Sequence, residues 1–200
     1  MKFPVVYMYD HSGDSHTLDD LKILLGSERY GYCRKKKNEK AGLCSAYAFL
    51  LLRYVLKKEF GISGIPKLIY NEYGKPFLKE HPEVYFNLSH AKQFAVCAVS
   101  DLPIGVDIQD VRKLNYNTAH KFLTESELQN ISAFKDNDVL NDELCRLWCI
   151  KESIGKCKGK GFGEGFTSLS AEEFINSGYV RCTKKKGYYI SVCTTDRRYT

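Results

Sequence analysis

The feature that most constrains this chain is a layout that occurs twice. Each half reads as an opening strand, one long amphipathic helix and a closing hairpin, with the midpoint at Asp101-Leu102-Pro103. Runs of β-branched and aromatic residues bounded by turns predict strands at 3–9, 67–70, 84–88, 94–100, 104–109, 179–184 and 188–194. Leu43, Ala46, Tyr47, Leu50 and Leu51 follow helical spacing and predict a helix over 39–59. Leu140, Leu144, Leu147 and Trp148 do the same over 139–156. A shorter helix is signalled by Thr124-Glu125-Ser126-Glu127, a capping box in which hydroxyl and carboxylate each satisfy a backbone donor. The pattern is α+β and suggests two similar lobes, residues 1–102 and 103–200.

With 200 residues and 44% apolar content the chain can build one large core or two small ones. The densest apolar run, 46–52, is closed by Arg53 and falls short of the roughly 20 residues that a membrane helix needs. Asp10 and His11 come too early for a signal peptide. The expectation is a soluble, cytoplasmic protein without a membrane partner. Eight cysteines, at 33, 44, 97, 145, 149, 157, 182 and 193, show neither C-x-x-C nor a histidine at ligand spacing, which predicts reduced structural thiols. Net charge is +6, gathered in RKKKNEK (34–40), KCKGK (156–160) and KKK (184–186). Such clusters attract phosphates, nucleic acid or acidic proteins. The last of them reads as a solvated hairpin turn.

Chemistry enters at GVDIQDV, residues 105–111. Alternation on a strand sends Val106 and Ile108 one way, toward a core, and Asp107 and Gln109 the other way as two oxygen ligands. In WCIKESIGK, residues 148–156, Trp148, Glu152 and Lys156 lie along one helix face, while Lys151 sits about 100° round from it. A plain helical ion pair between Glu152 and Lys156 would stabilise by only about 0.2–0.5 kcal/mol. Gly74-Lys75-Pro76 fixes a lysine in a turn, and Ser89-His90 interrupts two apolar runs. Two carboxylates, a histidine and several lysines describe a site for Mg²⁺ and phosphate, since Mg²⁺ takes one or two carboxylates, water and phosphate oxygens rather than a closed cage.

In that order, GKP, FNLSH, GVDI and WCIKESIGK resemble the 4'-phosphopantetheinyl transferases of the surfactin-synthetase-activating type. The resemblance implies a pseudo-dimer of two α+β lobes with the active site in the cleft between them. It implies a monomer that moves the phosphopantetheine arm of coenzyme A to a serine of an apo acyl or peptidyl carrier protein. Carried over residue by residue, Asp107 and Glu152 would hold Mg²⁺. Glu152, or a water it orients, would act as base on the carrier serine, and Lys156 would neutralise charge on the leaving phosphate. Lys75 and Pro76 would line the adenine side, Ser89 and His90 would meet phosphate, and Lys151 would join the coenzyme-binding set. The 3'-phosphate would fall to Lys36, Lys37 or Lys40, because RKKKNEK aligns in more than one way. Gln109 stands where the family pattern has Glu, so a third metal carboxylate is replaced by an amide carbonyl or a water. Tyr116, Phe122 and Leu123 occupy the stretch that resembles the carrier-docking segment, though core packing explains them equally well.

Three other readings compete. A short single-lobed carrier-protein synthase needs about half this length. A basic nucleic-acid binder would explain the lysine runs, but not carboxylates at 107 and 152, which repel phosphate without a metal; the expectation is no nucleic-acid partner. A degenerate, non-catalytic relative is hinted at by Gln109.

Overall fold

The computed structural model describes residues 4–114, 116–160 and 165–195. Its first half holds β1 (Val5–Asp10), α1 (Lys22–Arg34), α2 (Glu39–Phe60), a small β2–β3 hairpin (Leu68–Tyr70 and Pro76–Leu78), β4 (Tyr85–Ala91) and β5 (Phe94–Ser100). The second half holds β6 (Ile104–Asp110), α3 (Tyr116–Ala119), α4 (Glu125–Ser132), α5 (Asn137–Lys158), α6 (Ala171–Asn176), β7 (Val180–Lys185) and β8 (Tyr188–Thr194). One sheet runs β1-β5-β4 and another β6-β8-β7, all antiparallel. In each, the opening strand pairs with the last strand of the closing hairpin. The same order and pairing therefore recur in both halves around one long helix.

Those helices, α2 and α5, are both 22 residues long and have matching ends. Asn38 caps the first by accepting from the Ala41 N–H, and Asp136 caps the second by accepting from Asp138 and Val139. Both stop at a left-handed glycine, Gly61 and Gly159, whose lack of a Cβ lets the chain reverse there. The α5 caps lie outside the apolar stripe, so the helix extends two residues beyond 139–156 at each end. The Thr124 capping box forms as expected, with Glu127 Oε2 accepting the Thr124 N–H at 2.8 Å. Helix α1 was not expected from periodicity: Gly26, at φ 73°, interrupts it, and only Leu25 and Cys33 along it are buried. Pro76 opens a strand rather than only a turn, a position where its missing N–H costs little.

Each lobe has its own core, built on Phe49, Leu52 and Leu56 of α2 in one and on Phe122, Leu144 and Ile150 in the other. A third core lies between the sheets, where Val96 and Ala98 meet Ile104, Val106 and Ile108. Val106 and Ile108 thus pack where the alternation put them. The opposite face is not open, however, because β6 is buried from Ile104 to Gln109. All eight cysteines are unpaired, and all but Cys182 are buried. The Lys184–Lys186 run forms the β7 end and turn of a hairpin, with Lys184 paired to Asp142 at 2.6 Å. Among the described residues no helix is long and apolar enough to cross a membrane.

Candidate active site at the junction of the lobes

Helix α5 crosses β6 at backbone distance because residue 105 is glycine. A Cβ there would lie 2.0 Å from Ser153 O and 2.3 Å from Cys157 N. This close approach, with a Cys149 thiol donating to Asp107 O at 3.5 Å, lets side chains of α5 reach the acid two residues along the same strand face. Lys156 Nζ lies 2.6 Å from Asp107 Oδ1. Lys156 therefore pairs with Asp107 rather than forming only the local Glu152–Lys156 pair that helical spacing offers.

Glu152, one turn before Lys156, is half-buried. Desolvation first, opposed by Lys156 and reinforced by Asp107, pushes its carboxyl up to about 7. Two carboxylates on facing elements are a donor set that would suit a divalent cation. Among the described residues no group of three or more His, Cys, Asp or Glu side chains that could hold a metal ion is found. The chemistry fits Mg²⁺, which needs no closed cage. Gln109 is buried beside them, its amide nitrogen donating to Asp110 O at 2.9 Å. That leaves its carbonyl oxygen as the only donor it can offer a cation.

His90 and Ser89 part company, as neighbours on a strand must. The Ser89 side chain points to β6, where its hydroxyl donates to Asp107 Oδ1 at 2.8 Å and accepts from the Ile108 N–H at 3.3 Å and Lys156 Nζ at 3.1 Å. It is a support for Asp107 rather than an open phosphate ligand. The His90 ring reaches solvent from a protein-walled position. Its pKa is lowered, first by desolvation and then by the positive charges of Lys156 and Lys36. Of the three basic candidates around the start of α2, Lys36 is the one whose charge acts on His90. It rests over the Tyr32 ring at 4.2 Å, while Lys37 and Lys40 are exposed.

Two expected coenzyme ligands are used elsewhere. Lys151 is completely buried: its ammonium lies 2.5 Å from Glu127 Oε2 and donates to Phe122 O at 2.7 Å and Phe166 O at 3.1 Å. The 100° turn from Glu152 carries it into the core of the second lobe, away from the junction. Lys75 donates to Cys157 O at 2.8 Å and Ile104 O at 3.2 Å, tying the β2–β3 turn to the end of α5 and the start of β6. Burial lowers its pKa, and its backbone is engaged as well, the N–H donating to Asn71 Oδ1 at 2.8 Å and the carbonyl accepting from the Asn71 N–H at 3.0 Å. Asn71 strengthens the tie by donating to Gly159 O at 2.9 Å. Sequence reasoning missed Asn71, Asn87 and Gly105, which shape the junction without carrying its chemistry. Phe122 and Leu123 are buried core residues, not a docking surface, and the Tyr116 side chain lies outside the described residues.

The same α+β arrangement recurs in both halves, and Asp107 and Lys156 meet where they join, with Glu152 one turn earlier on the same helix. The model of the 4'-phosphopantetheinyl transferase superfamily matches residues 103–198. Over 204 residues the chain is 29% identical to a 4'-phosphopantetheinyl transferase of Bacillus subtilis, covering all of this chain and 89% of that one. It is 28% identical over 207 residues to the 4'-phosphopantetheinyl transferase Sfp of Bacillus subtilis strain 168, covering 96% of this chain and 92% of the relative. It is also 29% identical over 159 residues to a Xenopus laevis L-aminoadipate-semialdehyde dehydrogenase-phosphopantetheinyl transferase, covering 72% of this chain and 52% of that one. The chain belongs to the 4'-phosphopantetheinyl transferase superfamily.

Proposed function

We propose that this protein transfers the phosphopantetheine arm of coenzyme A to a serine of an apo carrier protein, with Mg²⁺, releasing 3',5'-ADP. The observation that carries this reading is the meeting of Asp107, Glu152 and Lys156 at the junction of two lobes in a chain similar along its whole length to named transferases. In the reaction the serine Oγ forms a bond to the phosphorus bearing the pantetheine arm. The bond from that phosphorus to the bridging pyrophosphate oxygen breaks, and the electron pair leaves with 3',5'-ADP.

Glu152 takes the serine proton. A carboxyl held near neutrality is suited to that task, because a general base works best with a pKa close to the working pH. Lys156 offers its ammonium to the leaving phosphate as charge gathers there. Asp107 and Glu152, with the Gln109 carbonyl or a water in its place, would hold Mg²⁺. Bound there, Mg²⁺ would withdraw charge from the pyrophosphate. Lys36 supplies positive charge for the phosphates of coenzyme A, His90 offers them a neutral imidazole as hydrogen-bond donor, and Lys75-Pro76 would line the adenine side.

The carrier partner is acidic around its modified serine, and a protein of net charge +6 is steered toward it. The unpaired thiols support a reducing, cytoplasmic setting, and the protein acts as a monomer. A non-catalytic, carrier-binding relative is the second reading, and Gln109 favours it. Glu152→Gln separates the two. A transferase loses arm transfer in this variant while coenzyme A binding, read by calorimetry, persists. Transfer unchanged in Glu152→Gln contradicts the assigned base.

A further inference from the structure

Lys156 is engaged before any phosphate reaches it. Its ammonium sits 2.6 Å from Asp107 Oδ1 and 3.1 Å from Ser89 Oγ, and the Ser89 hydroxyl donates to the same carboxylate oxygen at 2.8 Å. Ser89 is itself fixed from behind by the Ile108 N–H. These contacts form a closed triangle in which one oxygen of a buried aspartate is neutralised by the protein's own cation. A second cation approaching that oxygen meets the ammonium at contact distance, so the two compete.

The elements around the triangle are tied to one another. Gly105 holds β6 against the α5 backbone at Ser153 and Cys157, and Lys75 and Asn71 bind the carbonyls of Cys157 and Gly159 at the helix end. What can move is the Lys156 side chain, which is 26% exposed on a flexible four-carbon stem. Its charge is felt at His90 together with that of Lys36, so three basic groups crowd one end of the cleft. A dianionic pyrophosphate at that end gives Lys156 a partner better than Asp107.

We propose that Lys156 is an exchangeable internal counter-ion: it occupies the cation position at Asp107 in the free protein and moves to the pyrophosphate of coenzyme A. Asp107 becomes open to a divalent cation only after that move. Coenzyme A therefore binds before the metal and enables it, and Ser89 acts as the positioning residue that holds Lys156 in its resting place. This rests on the transferase reading above and adds to it an order of binding and a second role for Lys156.

The test uses Mn²⁺ as the probe, with free Mn²⁺ read by electron paramagnetic resonance in the presence of the full chain and no carrier. Wild type is expected to bind Mn²⁺ at least about tenfold more tightly with coenzyme A than without it. Lys156→Met is expected to bind Mn²⁺ without coenzyme A at least about tenfold more tightly than wild type, and coenzyme A should then add little. Ser89→Ala, which removes one of the two acceptors of Lys156 and leaves its charge, should shift affinity the same way by less. This variant also guards against misfolding of Lys156→Met, and circular dichroism of both checks their integrity. Equal Mn²⁺ affinity of wild type with and without coenzyme A overturns the proposal. So does a folded Lys156→Met that binds free Mn²⁺ no better than wild type. Carrier modification by wild type is measured separately: its absence alongside the expected Mn²⁺ pattern overturns the transferase reading and supports the counter-ion, while its presence with flat Mn²⁺ affinities does the reverse.

Discussion

Asn87 on β4 and Val106 on β6 join the two lobes through a side chain: Asn87 Oδ1 accepts the Val106 N–H at 2.9 Å, and both residues are buried. Ser89 repeats the contact two residues on, accepting from Ile108. Both strands advance together, so the edges run side by side in parallel, with side chains where a ladder would otherwise be. The position of Asp107, between the two bonded amides, follows from this stitching.

Removing the stitch leaves a buried N–H without an acceptor, which costs about 1–3 kcal/mol. Asn87→Ala is expected to lower the urea midpoint accordingly with an unchanged slope. Asn87→Asp keeps an acceptor oxygen but buries an added charge beside Asp107, and should lose at least as much.

Gly105 sets the distance between strand and helix. Gly105→Ala puts a methyl group 2.0 Å from Ser153 O, so α5 must move away from β6 and take Glu152 and Lys156 with it. A displacement of about 1 Å in positioned groups can cost about 10²-fold in rate. Transfer rate in a stopped assay should fall by that order, while circular dichroism still reports a folded protein.

Lys151 and Glu127 form a buried pair in which each partner also serves the backbone. Glu127 Oε1 accepts the Ala171 N–H at 2.9 Å at the start of α6. Lys151→Met should destabilise by about 3–5 kcal/mol, since it strands the carboxylate. Calorimetry on the folded fraction should find coenzyme A affinity unchanged, which a direct ligand role would not allow.

Glu152 binds its proton more tightly folded than unfolded, at about 7 against 4.5. Its contribution to stability is therefore most favourable below pH 4.5 and is lost as pH rises to about 7. In metal-free buffer Glu152→Gln should match wild type at the acid end and exceed it by about 1–3 kcal/mol above neutrality. Thermal melts in EDTA across that range check this; a variant no more stable than wild type at pH 8 contradicts the desolvation assigned to Glu152.

The sequence made the long helices and the sheet strands legible because their periods are sustained, while the ends set by Asp136 and Gly159 lie beyond the apolar stripe and were not read. Asp107, Glu152 and Lys156 were legible for a different reason, as an ordered set with fixed residue types. What stayed hidden depends on partners distant in the chain. Lys151 differs from Glu152 by one step of helical rotation, and only the core carboxylate of Glu127 and the carbonyls of Phe122 and Phe166 decide where it goes. Ser89 and Lys75 read as ligands until Asp107, Ile104 and Cys157 are seen to take their hydrogen bonds. Helix α1 was missed because Gly26 breaks its period.

The central claim is carrier modification, and intact mass of the acceptor tests it most directly. Incubated with coenzyme A, Mg²⁺ and a panel of apo carrier proteins, wild type is expected to add the mass of one phosphopantetheine arm to the active-site serine of at least one carrier, with 3',5'-ADP appearing in equal amount. Carriers of the acyl and peptidyl types that all keep their apo mass, under conditions where coenzyme A is bound, would contradict the account.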